Sequence, residues 1–178
     1  MGEYISRDET TEWLSKYFKN YYDVSKLSVS SEEYPILRCD LHVSNQKYFL
    51  TKKSVLWEAN CHEYVYVFSV SHLTEDLYRK LETYVITEGS KLIEPKKTHM
   101  YTYLTLFVVC DTIDKDAEKA LKKCKIRKDY KMALYGWMEL HTALLVCESE
   151  RFATNRGGHE YKKLLRNISN SNMSKKGR

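Results

Sequence analysis

The most constraining feature of this sequence is a pair of strand-like segments that are apolar on both faces. In residues 63–70 (EYVYVFSV) aromatic residues alternate with valines, and residues 100–110 read MYTYLTLFVVC. Successive residues of a strand point to opposite faces of the sheet, so a strand that is apolar at both sets of positions is covered on both faces. The chain therefore requires helices on the two sides of a central sheet.

Helical periodicity predicts the helices that cover the sheet. A Ser-x-x-Glu capping box at Ser6 opens an amphipathic helix over residues 8–22, and Thr74 caps a second helix that ends at Gly89. Because the second helix separates the two strands that are apolar on both faces, it predicts a crossover between parallel strands. A third helix begins near Asp114, and a short last helix covers residues 161–168.

The remaining extended segments complete the predicted sheet. Residues 36–43, 47–58 and 63–70 are separated by segments short enough for hairpin turns, 44–46 and 59–61, and predict an antiparallel meander. A long strand over residues 132–147 and a return strand over 151–155 follow the third helix. The pattern predicts one α+β domain over residues 1–168, with a mixed five- or six-stranded sheet, an N-terminal helix, two crossover helices and a short C-terminal helix. Residues 169–178 are predicted to form a flexible basic tail.

The composition and the cysteines indicate the cellular compartment in which we expect the protein. The 178 residues are 43% hydrophobic and 30% charged, a composition typical of a compact domain. The first residues lack the basic and apolar regions of a secretory signal, and no apolar run approaches the roughly 20 residues of a membrane helix. The five cysteines, without a Cys-x-x-Cys pair, indicate neither a disulfide framework nor a zinc site. We therefore expect a cytoplasmic protein without a cofactor and without membrane contact.

Positive charge is concentrated in two segments. The net charge is only +5, yet residues 119–131 hold seven cations and one acid, and residues 162–178 hold six cations and no acid. Such segments can contact successive phosphates of a nucleic acid, or a protein partner, although lysines on an outer helix face are also typical of a solvated surface. The candidate polyanion-binding residues are Lys119, Lys122, Lys123, Lys125, Arg127, Lys128 and Lys131.

Acidic residues on the predicted strands support a second interpretation. The order helix, three strands, helix, strand resembles the core of the PD-(D/E)xK nuclease families, in which acids on the second and third strands hold a divalent metal. The resemblance implies Asp40 as the first acid, Glu58 or Glu63 as the second, and Mg²⁺ as the cofactor. The segments that begin at Glu58 and Glu63 both lack the lysine of the family signature, and surface carboxylates are the alternative interpretation.

A third interpretation is a polar pocket near the end of the sequence. Glu139 and His141 lie two residues apart on one face of the predicted strand, as in an acid–base or metal-binding pair. Arg156 and His159 flank a Gly-Gly turn shortly afterwards. These four residues predict a pocket for a small anionic ligand, with a structural hydrogen-bonded pair as the alternative.

Three stretches carry a resemblance over most of the chain. Residues 48–68 (YFLTKKSVLWEANCHEYVYVF), 94–109 (EPKKTHMYTYLTLFVV) and 153–164 (ATNRGGHEYKKL) resemble a family of small uncharacterised cytosolic proteins from low-GC Gram-positive bacteria. That resemblance implies no activity. We therefore expect a non-enzymatic binding or regulatory domain that recognises a polyanion or a protein partner through its basic surface. A metal-dependent nuclease and a small-anion-binding domain are the alternatives.

Overall fold

The computed structural model describes residues 6–49 and 52–175, and the side chains of residues 6–44 and 59–169. Within these described residues, four α-helices, one 3₁₀ helix and seven strands follow one another. In order they are α1 (Arg7–Phe18), β1 (Asp23–Lys26), β2 (Leu37–Phe49), β3 (Lys52–Leu73), α2 (Glu75–Ser90), β4 (His99–Ile113), α3 (Lys115–Lys123), β5 (Arg127–Asp129), β6 (Trp137–Val146), β7 (Arg151–Thr154), the 3₁₀ helix (Gly157–Glu160) and α4 (Tyr161–Lys175).

All seven strands belong to one open mixed sheet. Their order is β1-β2-β3-β4-β6-β5, with β7 also paired to β6. The first three strands pair antiparallel, whereas β3, β4 and β6 are parallel neighbours joined through α2 and α3. This arrangement confirms the predicted α+β class, the mixed sheet and the two crossover helices. The sheet has seven strands because β1 and β5 add short edge strands that the sequence pattern did not reveal.

The two helical layers explain why the central strands are apolar on both faces. Helices α2 and α3 cover one face, where Tyr78 and Leu121 pack with Tyr66 and Leu106. Helices α1 and α4 cover the other face, where they pack with side chains such as Phe107. The helix starts follow the sequence signals, since Ser6 forms its reciprocal capping box with Glu9 and the Thr74 hydroxyl accepts from the Leu77 N–H.

The segments predicted to form a three-strand meander instead form one long hairpin of β2 and β3. The predicted turns at 44–46 and 59–61 are wrong, because both segments are extended and pair with each other, with Asn45 opposite Ala59. The strands meet farther along the chain, where Phe49 pairs with Lys52. Ser, Asn and Gln residues are typical of turns, and here the pairing of β2 with β3 overrides that local preference.

Other element boundaries differ for local backbone reasons. The predicted strand from residue 132 begins only at Trp137, because Lys131, Met132 and Ala133 have φ values of 47°, 53° and 65°. Such left-handed residues form a turn and cannot belong to a regular strand. At the C-terminus α4 continues to Lys175, so most of the segment expected to be a flexible tail is helical. Within the described residues, no helix is both long and apolar enough to cross a membrane.

Candidate functional site

The structure brings together the four residues of the predicted pocket. Glu139, His141, Arg156 and His159 line one surface cleft of about 670 Å³, hereafter the histidine cleft. The first two stand near the start of β6, and the other two lie on the segment that leads through the 3₁₀ helix into α4. The remaining lining side chains and backbone come from Tyr103, Thr154, Asn155, Gly157, Glu160 and Lys162.

His141 is the most constrained side chain of the histidine cleft. It is only 4% exposed, and its Nδ1 atom lies 3.1 Å from Oε1 of Glu160. An ionised carboxylate only accepts hydrogen bonds, so the Nδ1–H of His141 donates to Glu160. The ring also lies against Tyr103, with centroids 4.3 Å apart. His141 therefore has a fixed orientation, as an imidazole needs for hydrogen bonding to a ligand or for proton transfer.

Asn155 fixes the segment that carries Arg156 and His159. Its side-chain oxygen accepts from the backbone N–H groups of Thr142 and Gly158, at 3.0 Å and 2.8 Å. Its side-chain nitrogen donates to the carbonyls of Leu140 and Cys124, at 2.9 Å and 3.1 Å. All four bonds of the buried amide are thus made inside the protein, and they attach the segment to β6 and to the end of α3.

Gly157 and Gly158 allow this segment to approach β6 closely. A Cβ atom on Gly157 would lie 2.5 Å from Cδ2 of His141 and 3.0 Å from Oε1 of Glu139. A Cβ atom on Gly158 would lie 2.2 Å from the carbonyl oxygen of Thr142. The backbone of Thr142 therefore requires glycine at position 158, whereas a Cβ at position 157 would meet side chains alone. Neither glycine has a positive φ, so the Gly-Gly turn noted in the sequence serves close approach of the two segments.

Aromatic side chains extend from the histidine cleft along the start of β4 and β6. Tyr103 stacks on Tyr101 with centroids 4.4 Å apart, and Tyr101 contacts Trp137 at 5.8 Å. The guanidinium of Arg127 lies 4.7 Å from the Trp137 ring centroid. We call Tyr101, Tyr103 and Trp137 the aromatic ladder, and all three are partly exposed. Burial, and next the nearby carboxylate of Glu139, raise the pKa of Tyr103.

The sequence did not single out Tyr103 or Lys162 for the pocket. Tyr103 lies in a strand that is apolar on both faces, and tyrosines there fit a core equally well. Only the register identifies it, because parallel pairing of β4 with β6 places Tyr103 beside Glu139. Lys162 lies within a run of basic residues, and the direction of each side chain depends on where α4 begins.

Glu63 belongs to a hydrogen-bonded network between the two helices α1 and α4. Its carboxylate accepts from the Tyr22 hydroxyl at 2.6 Å, from the Tyr161 hydroxyl, and from Thr105 Oγ1 at 3.5 Å. Burial and the Glu63 charge raise the pKa values of Tyr22 and Tyr161, so both phenols stay protonated as donors. The network accounts for Glu63 as a structural acceptor.

The carboxylates of Asp40 and Glu63, two of the residues of the nuclease interpretation, do not converge. Asp40 pairs with Tyr64 and lies on the side of α2, whereas the adjacent Glu63 points to the side of α1 and α4. Asp40 is held by Arg38 through contacts of 2.8 Å and 2.5 Å. Glu58 pairs with Gln46, six residues before Tyr64 and therefore about 20 Å away along the strand. Among the described residues, no three His, Cys, Asp or Glu side chains converge as metal ligands.

All seven candidate polyanion-binding residues are exposed, on α3, β5 and the adjoining loops. Lys119, Lys123 and Lys125 line a groove of about 450 Å³ whose other wall, on α2, carries Glu75 and Glu82. The basic residues of α4 lie on the opposite face of the sheet, because α3 and α4 belong to different layers. Arg127 alone among the seven reaches the aromatic ladder.

These observations define a class of protein: an α/β domain with helices on both faces of an open mixed sheet and a polar cleft near the start of its parallel strands. The chain belongs to the family described as a domain of unknown function (DUF8052), whose model matches residues 6–167. The whole lining of the histidine cleft falls within that range. No curated protein and no solved structure matches the chain.

Proposed function

We propose that this protein is a binding domain for a small anionic molecule and that the histidine cleft is the site. One observation carries the proposal: Glu139, His141, Arg156 and His159, which come from two separate segments, line a single cleft. Its volume of about 670 Å³ lies within the range of small-molecule sites. A buried, oriented imidazole and the buried amide of Asn155 make this cleft preformed.

The charges around the histidine cleft support an anionic ligand. Arg156 and Lys162 are exposed at its rim, and within the described residues neither forms an ion pair. Glu160, by contrast, already accepts from His141. The cleft therefore holds two cations that lack an ion-pair partner, beside the carboxylates of Glu139 and Glu160, and a guanidinium suits bidentate contact with a phosphate or carboxylate.

Calorimetric titration tests this proposal. The probes are inorganic phosphate, ribose 5-phosphate and adenosine 5′-monophosphate, and we expect wild type to bind at least one of them. The double variant Arg156→Ala/Lys162→Ala should weaken that binding about tenfold or more, since hydrogen bonds to charged groups contribute roughly 1.5–3 kcal/mol each.

The matched control is Lys122→Ala/Lys123→Ala, which removes two exposed charges from α3 on the other face of the sheet. It should bind the same probe as wild type does. The absence of binding for all three probes, or an equal loss in the control, would contradict the proposal.

The basic surface supports a second candidate function, which is binding of a nucleic acid by Lys119–Lys131. The supporting observation is that three of its cations lie over aromatic rings: Arg127 over Trp137, Lys128 over Tyr130 at 5.5 Å, and Lys131 over Tyr135 at 4.3 Å. Fluorescence anisotropy with labelled single-stranded RNA across a salt series tests it. Binding that weakens steeply with salt and is lost in Lys122→Ala/Lys123→Ala/Lys128→Ala would support this function, and a flat trace at low salt would contradict it.

We infer that the protein works in the cytoplasm. All five cysteines are buried free thiols, and burial raises the pKa of Cys39 and Cys110 to about 12 and that of Cys124 and Cys147 to about 11. Such thiols are inert small apolar groups, which suits a reducing compartment. Purification without reductant tests this inference: we expect five titratable thiols after denaturation, and fewer would contradict it.

A further inference from the structure

We propose that the ligand of the histidine cleft is a nucleoside phosphate, in which a base, a ribose and a phosphate each meet a different part of the site. This inference rests on the proposed function, because it names the ligand class of the same cleft. It is carried by three neighbouring features, which are the basic rim, the carboxylate of Glu139 and the aromatic ladder.

The aromatic ladder is the feature that a simple anion leaves unexplained. Tyr103 lines the cleft itself, and Tyr101 and Trp137 continue from it along the same face of β4 and β6. All three rings of the aromatic ladder are partly exposed. A partly exposed aromatic surface beside cations is suited to a nucleobase, whose flat face contacts aromatic rings.

Glu139 is the feature that favours a nucleotide over inorganic phosphate as the ligand. Glu139 is half-buried, and the strand register places it opposite Tyr103 on β4 and Arg127 on β5. A carboxylate repels phosphate, but it accepts hydrogen bonds from the hydroxyls of a ribose. The site therefore combines an acceptor at Glu139, cations at its rim and the aromatic ladder, which suit a ribose, a phosphate and a base respectively.

The phosphate would meet the rim formed by Arg156, His159 and Lys162. These residues lie on one short segment, and the Nδ1 atom of His159 lies 3.1 Å from the carbonyl oxygen of Arg156. A carbonyl only accepts, so Nδ1 of His159 donates and its other ring nitrogen faces away from that bond. The same phosphate chemistry is present in a free nucleotide and at the end of a nucleic-acid strand.

Calorimetry with matched fragments tests the inference. We expect adenosine 5′-monophosphate and uridine 5′-monophosphate to bind about tenfold more tightly than ribose 5-phosphate, because base stacking adds affinity with little dependence on the base. Tyr103→Leu should reduce the affinity for both nucleotides to that for ribose 5-phosphate, while Tyr103→Phe should keep the preference. Ribose 5-phosphate reports whether the substituted cleft is intact.

The outcomes separate this inference from the proposed function. Equal affinities for ribose 5-phosphate and the nucleotides, or a nucleotide preference that survives Tyr103→Leu, would overturn the nucleotide assignment and leave small-anion binding in place. If no phosphate-bearing probe binds, both fail. If the nucleotides bind as expected, 5′-phosphorylated oligonucleotides of increasing length distinguish the two sources of this phosphate. Affinity that rises with length would identify the end of a nucleic-acid strand as the ligand. Affinity that stays equal to that of the mononucleotide would identify a free nucleotide.

Discussion

The Nδ1 atom of His141 lies 3.1 Å from Oε1 of Glu160, so a buried residue of β6 is tied to the segment that leads into α4. We expect the neutral His141 ring to carry its proton on Nδ1, because the carboxylate can only accept. Glu160→Ala should remove this preference while changing the free energy of unfolding by less than about 1 kcal/mol, since Glu160 is exposed. Long-range ¹H–¹⁵N spectra of the imidazole report the tautomer. A wild-type ring without a proton on Nδ1 would contradict the assignment.

Asn155 should be among the most sensitive positions for stability. Replacing it by Ala leaves four backbone groups without their partner, including the Gly158 N–H and the Leu140 carbonyl. We expect the free energy of unfolding to fall by about 3 kcal/mol or more. Asn20→Ala, at an exposed position after α1, is the matched control and should change it by less than about 0.5 kcal/mol. Urea unfolding measures both, and similar values for the two variants would disprove the role of Asn155.

The two neighbouring glycines should respond differently to the same substitution. Gly158→Ala directs a methyl group at the Thr142 carbonyl oxygen, which the backbone holds in place, so we expect a loss of stability. Gly157→Ala directs it at the His141 ring, which can move by rotating its side chain. This variant should fold but bind the phosphate probes more weakly. Thermal unfolding and calorimetry on both proteins check the contrast, which equal stability losses would contradict.

The hydroxyl of Tyr66 gives a prediction with a defined pH dependence. It is buried without a hydrogen-bond partner among the described residues, and burial raises its pKa to about 12. The pKa of this phenol in the folded protein exceeds the unfolded value of about 10. Its contribution to the free energy of unfolding is therefore complete below pH 10 and is lost as the pH rises to about 12. Wild type should therefore lose about 1.4 kcal/mol per pH unit relative to Tyr66→Phe over that range.

At pH 8 we expect a Tyr→Phe substitution to affect stability differently at Tyr66 and at Tyr161. Tyr66→Phe should leave stability unchanged or raise it by about 1 kcal/mol, because no hydrogen bond is lost. Tyr161→Phe removes a donor to Glu63 and should lower it by about 1.5 kcal/mol. Chemical unfolding at pH 8 and pH 11 gives both comparisons. A stability loss in Tyr66→Phe at pH 8 would show that its hydroxyl has a partner.

Much of the fold was predictable because local patterns and long-range packing agree. Alternation in residues 63–70 and 100–110 identified β3 and β4 as strands covered on both faces, and the caps at Ser6 and Thr74 located α1 and α2. The predicted turns at 44–46 and 59–61 were wrong because Asn45 and Ala59 pair within the hairpin of β2 and β3, although Asn is more typical of turns than of strands.

The candidate site was predictable only in part. Glu139 and His141 share a strand face by simple alternation, and Arg156 follows nearby in the chain, so their grouping needed little tertiary information. The participation of Tyr103 depends on strand order, which periodicity does not specify. In the same way, Asp40 and Glu63 looked like a possible pair until the register placed them on opposite faces of the sheet.

The most direct test of small-anion binding in the histidine cleft is a ¹H–¹⁵N spectrum recorded during titration with ribose 5-phosphate. We expect saturable shifts at Tyr103, at His141 and across residues 156–162, and little change on α3. Shifts confined to Lys119–Lys131, or a spectrum that stays unchanged at saturating probe, would contradict it.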